Sequence, residues 1–158
     1  MMAKSTLRTA AVALAITVLL ASCSSADPVA QQESTPAQPI CSNTEVDQGS
    51  AWIAGQLDAF TNEDPETAYG FASEKFKAGS SLNQFVAIIV ANYGFLLSTT
   101  SYTIGDCTKE GELFNFDVQV IDATGQRYPM RYTLSKIAGT WGVDAAAVTI
   151  GEEEPTYS

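Results

Sequence analysis

The sequence predicts an α+β domain: N-terminal helices packed on an antiparallel sheet of about four strands. Two patterns carry this prediction. Between residues 46 and 94 apolar side chains recur every three or four positions, the period of a helix with one buried face. Between residues 100 and 150 they recur every second position, the period of a sheet covered on one side. Helices come first and strands follow as a meander, without the alternation that builds a parallel sheet.

The first helix starts near Val46 and places Ile53, Leu57 and Phe60 on one face, with Trp52 and Gln56 flanking. Thr44 is its candidate cap, and Glu45 and Asp47 favour the positive end of the helix dipole. Asn62–Asp64 breaks it. Asp64-Pro65 then opens a second helix, with Ala68, Phe71 and Ala72 on its apolar face. Gly79–Ser81 ends that one. Ser81 caps a third helix, which turns Leu82, Phe85, Val86, Ile89 and Val90 toward the core and stops near Asn92-Tyr93-Gly94.

Strands are expected at about 100–107, 112–122, 127–136 and 141–150. Lys109–Gly111, Ala123-Thr124-Gly125 and Ala138-Gly139 separate them. The middle separator suits a hairpin whose glycine supplies a positive φ. If Asp122 and Gln126 close it, Phe116 faces Tyr132, Phe114 faces Leu134 and Val118 faces Met130. On the other face Asp117 meets Arg131 and Glu112 meets Lys136. Slipping by one residue would turn the apolar face to water. A tight turn at Ala138-Gly139 sets Leu134 opposite Val143 and Tyr132 opposite Ala145, with Trp141, Val143, Ala145 and Ala147 sharing a face.

The chain has 18 acidic and 8 basic residues, for a net charge of −10. Such a surface repels phosphates, so nucleic acid is not an expected partner. There is no histidine, which removes the commonest general base and metal ligand. No phosphate loop, dinucleotide fingerprint, metal-ligand cluster or nucleophile elbow is present. No cofactor or metal is expected.

Residues 1–22 read as a secretory signal: Lys4 and Arg8, then an apolar run from Ala10 to Leu20. Its end, Leu20-Ala21-Ser22-Cys23, resembles a bacterial lipobox. The resemblance implies that Cys23 carries a diacylglycerol and that the protein is held on the extracytoplasmic face of a cell membrane. The alternative is an ordinary cleavable signal with a leftover thiol. Removing residues 1–22 leaves 18 acids against 6 bases, a charge near −12. Residues 23–40 are rich in Ser, Ala, Gln and Pro and read as the lipidated cysteine with a flexible tether. The tether has a root-mean-square reach of roughly 20–25 Å. Residues 41–150 form the domain, and 151–158 an acidic tail. Cys41 and Cys107 are an even pair in an oxidising compartment, read as one disulfide; two free thiols are the alternative.

The order of elements is similar to the cone-shaped nuclear transport factor 2-like (cystatin-like) superfamily, in which helices pack on a curved antiparallel sheet. Four stretches resemble a bacterial family, domain of unknown function 4864. They are Gly55-Gln56-Leu57-Asp58-Ala59-Phe60 with Asp64, Ala68-Tyr69-Gly70-Phe71-Ala72-Ser73, Phe85 with Tyr93, and Tyr132-Thr133-Leu134 with Trp141. The wider superfamily includes isomerase-like enzymes with a carboxylate inside the cone. Here the inward mid-strand positions are apolar or Tyr. Asp117 and Asp144 point outward by parity, while Asp106 points inward near a strand end.

Tyr93, Tyr102, Phe116, Met130, Tyr132 and Trp141 are the candidate ligand-binding residues, an apolar lining with hydroxyl handles. The plain alternative is that they are core. The expectation is therefore a non-catalytic domain that binds a small apolar ligand or an envelope protein. A structural or interaction module is the alternative, followed by a small enzyme using Asp106 or Tyr132 for proton transfer.

Overall fold

The computed structural model describes residues 40–149. The signal, Cys23, nearly all of the tether and the acidic tail lie outside the described residues. Within them the fold is α+β. Four helices, α1 (Asn43–Thr61), α2 (Pro65–Gly70), α3 (Glu74–Gly79) and α4 (Leu82–Asn92), precede a 3-10 turn at Gly94–Ser98. A four-stranded antiparallel sheet follows: β1 (Thr99–Glu110), β2 (Leu113–Asp122), β3 (Arg127–Ile137) and β4 (Thr140–Val148), in sequence order.

Ser42, two residues before the expected Thr44, caps α1. Its hydroxyl accepts from the Glu45 amide while the Glu45 carboxylate accepts from the Ser42 amide, a reciprocal capping box. α1 buries Ile53, Gln56, Leu57 and Phe60 along one side. Gly49 is obligatory on that face, because a Cβ there would overlap the Phe116 ring. Asp64 caps α2 and Pro65 opens it, as the sequence indicates.

The expected second helix is two helices. It stops at Gly70 with Phe71 as its C-cap, and Ala72 instead forms a parallel bridge to Val143 on the edge of β4. The Ser73 amide donates to the Val143 carbonyl, and the Val143 amide donates to the Phe71 carbonyl, both at 2.9 Å. Gly142 permits this approach, since a Cβ there would overlap Ser73. Ser73 then caps α3. The detour covers part of an edge that would otherwise expose unpaired backbone groups.

The β2–β3 register is the one deduced above, with Phe116 opposite Tyr132 and Asp117 opposite Arg131. Arg131 and Asp117 form an ion pair at 2.9 Å. Glu112 falls outside the ladder; Lys136 donates to Gln48 of α1 instead, at 2.7 Å. Gly125 has φ of 83°, and the turn is held by Asp122, whose carboxylate accepts from Thr124, Gln126 and Tyr128. Those donors, the Thr124 hydroxyl first, pull the Asp122 carboxyl below its ordinary range.

Two bulges alter the expected faces. In β1, Gly105 and Asp106 together oppose Asp117, and Asp106 is exposed rather than inward. In β4, Thr133 pairs with Ala145 but Leu134 pairs with Val143, leaving Asp144 as the extra residue. Beyond this bulge parity reverses, so Tyr132 faces Ala146, not Ala145.

Candidate ligand cavity

Cys41 and Cys107 are joined, with Cα atoms 5.6 Å apart. This fixes the start of α1 to the far end of β1. Beside it Lys109 meets Glu45 at 2.6 Å. The Lys109 ammonium, followed by the Ser42 amide and hydroxyl, holds the Glu45 carboxyl down to about 2. This corner is closed.

The other end of α1 is built differently. α4 is capped by Ser81 with Gln84 in a second capping box. It docks through Phe85, the one fully buried residue on the helix, whose ring meets Phe60, Tyr69 and Phe76 at centroid distances of 5.5–6.0 Å. Its packing neighbours are α2 and the 3-10 turn. Between α4 and the β3–β4 end of the sheet lies a cavity of about 210 Å³. Phe76, Phe85, Ile89, Leu96 and Val143 make its wall largely hydrocarbon. The sheet side is formed partly by Ala145 and Ala146 at the β4 bulge, side chains too small to fill the space beneath the helix.

Four polar side chains reach the wall besides backbone groups: Gln56, Tyr93, Tyr132 and Asp144. Three are engaged. The Gln56 amide donates to the Ala68 carbonyl at 3.0 Å, and the Tyr93 hydroxyl to the Ala146 carbonyl at 3.2 Å. Asp144 accepts from the Ser73 hydroxyl, which clamps β4 to α3. Asp144 is thus a half-buried clamp, not the solvated outward residue expected from parity. Tyr132 differs. It is 0% exposed and its hydroxyl finds no hydrogen-bond partner in the protein. Burial, with the Tyr93 phenol as a lesser cause, pushes the Tyr132 phenol well above its ordinary range, so it stays protonated and able to donate.

Of the six candidates, the fold brings Tyr93 and Tyr132 together on this wall. The others lie elsewhere. Phe116 packs under α1 and Met130 is core. Trp141 meets the Phe114 ring edge-on with centroids 4.7 Å apart and donates to Gln48 at 3.3 Å. Tyr102 donates to Asp58 at 2.9 Å, and its phenol is raised by burial and then by that carboxylate. Phe76, Leu96 and Val143 were not anticipated as lining. The alanine run 145–147 was the available signal, since small side chains leave space, and two of them, Ala145 and Ala146, line the cavity.

The cavity suits a small, mainly apolar molecule with one group that can accept from a phenol. Its volume falls below the ~300–1,000 Å³ of common ligand sites, which restricts size. Among the described residues no group of His, Cys, Asp and Glu side chains is placed to hold a metal ion.

No curated protein matches the chain. Among solved structures, the solution structure of a SEC-C motif containing protein from Rhodopseudomonas palustris is similar, with a TM-score of 0.45 and 10% identity over 68% of this chain and 88% of that one. A likeness this loose carries nothing about function. A family match spans α1 through the sheet and beyond, over residues 43–156. The chain therefore belongs to the family described as a domain of unknown function, DUF4864.

Proposed function

We propose that this is a non-catalytic binding domain, anchored by a lipid on Cys23 to the extracytoplasmic face of a bacterial membrane, that takes a small apolar ligand into the cavity beneath α4. One observation carries the reading: Tyr132 lines an apolar cavity, and its buried hydroxyl has no partner in the protein. An unmet buried donor costs roughly 1–3 kcal/mol, a penalty a ligand acceptor relieves. Helices preceding a four-strand meander support placing the domain among nuclear transport factor 2-like folds. The lipobox-like Leu20–Cys23 supports the anchor. The exposed position of Asp106 gives proton-transfer chemistry little to work with.

Native mass spectrometry of residues 24–158, recovered without reductant from the producing bacterium's envelope, tests the ligand. The expected spectrum carries extra mass that leaves on denaturation and is diminished in Tyr132→Phe. A bare wild-type mass would sink the reading.

A further inference from the structure

α4 carries more apolar surface than its fold uses. No charged residue occurs between Lys77 and Asp106, in a chain of net charge −10. α4 and the 3-10 turn lie wholly inside that stretch. Three of the large exposed apolar side chains are here: Ile88 at 42%, Val90 at 63% and Leu97 at 38%. A helix apolar on most of its circumference normally has a cover on every side. α4 instead has apolar hollows on both flanks. One is the cavity above, which Ile88 and Ile89 help line. The other, also about 210 Å³, runs between α4 and the α1–α2 connection, lined by Phe60, Val86, Ile89, Val90 and Leu97, with Glu63 and Asp64 on its α1–α2 side.

We propose that the exposed side of α4, flanked by Ile88 at one hollow and by Val90 and Leu97 at the other, seats on the lipid bilayer to which the protein is anchored. The inference rests on the anchor at Cys23. Area separates a bilayer from a second copy. An 11-residue helix is about 16 Å long and ~10 Å across, so its strip offers roughly 160 Å². A stable protein interface needs about 800 Å² per partner. A tethered surface needs far less, because the tether replaces free encounter with a high local concentration. Hydrocarbon chains also fill irregular hollows that a rigid partner of this area would leave void. The 17 residue steps from Cys23 to Ile40 span at most about 61 Å, enough for the domain to lie with α4 against the bilayer.

The test uses the full chain, matured in a bacterial envelope and reconstituted in phosphatidylcholine vesicles. Val90→Cys labelled with nitrobenzoxadiazole reports on the α4 face, and Glu112→Cys on the β1–β2 turn serves as control. Flotation reports anchoring. The expected result is flotation of both variants, a blue-shifted emission at position 90 alone, and its quenching by doxyl-labelled lipid. Flotation with identical emission at both positions overturns the seating and leaves the anchor standing. A shift at position 90 that grows with protein density but is not quenched by the labelled lipid assigns the face to a second copy and overturns it too. Failure to float removes the anchor, and the proposal with it.

Discussion

The two ends of α1 are built on opposite plans. At its start a capping box, an ion pair and a disulfide converge on β1 within a few residues. At its far end α1 meets α4, where contacts are aromatic and aliphatic, two hollows remain, and a buried hydroxyl is left without a partner. The difference teaches where this domain spends its stability. Directional bonds fix one corner, and that fixed corner lets the opposite wall stay underfilled, as the proposed binding role requires. Binding regions are commonly drawn from the less stable parts of a fold for this reason.

The largest effect belongs to the closed corner. Replacing Cys41 and Cys107 together with Ser should cost about 4 kcal/mol, given the 66-residue separation, read as a lowered urea midpoint. A midpoint unchanged by the replacement would mean the corner is held without the bond. Next comes a direct contrast of packing. Leu57→Ala, on the buried face of α1, should lose about 2–5 kcal/mol. Val90→Ala on α4 should stay within about 0.5 kcal/mol by the same denaturation measurement. Equal losses would erase the contrast.

Tyr132→Phe is expected to move the other way. In ligand-free protein it removes an unpaired buried hydroxyl and should raise stability by about 1–3 kcal/mol in thermal melts. A loss of that size would mean the hydroxyl already has a partner. The smallest effect is electrostatic. The folded Glu45 carboxyl sits at about 2, below the ordinary value near 4.3. Its contribution is therefore complete above the ordinary carboxylate range and is lost as pH falls toward 2. Urea midpoints between pH 5 and pH 2.5 should fall more steeply for wild type than for Glu45→Gln, and parallel slopes would refute the assignment.

The β2–β3 hairpin was legible because every level agreed. Alternation, the Gly125 turn and the Asp117–Arg131 pair all demand one register. β4 was legible only as far as Val143. After it the run Ala145-Ala146-Ala147 carries no polarity to mark inside from outside, so the bulge at Asp144 left no trace in the pattern. The break at Gly70 was hidden because Phe71 and Ala72 fit a helical face as well as an edge strand. A Ser-Glu pair at residues 73–74 was the overlooked start signal. The site was half legible for a related reason. Alternation sends an aromatic inward, yet whether it then meets core or cavity depends on how closely a helix lies over it. Phe116 met α1 at Gly49, while Tyr132 met the gap under α4.

The disulfide has a mechanical consequence. Any pull transmitted through the chain before Ile40 arrives at Cys41 and passes across the bond to Cys107. The load then runs along β1, whose backbone ladder to β2 resists in shear, with many bonds strained at once. Without the bridge the same tension would peel α1 away from its first turn, one bond after another. A domain held by a leash at that point is stitched where the leash joins the cloth.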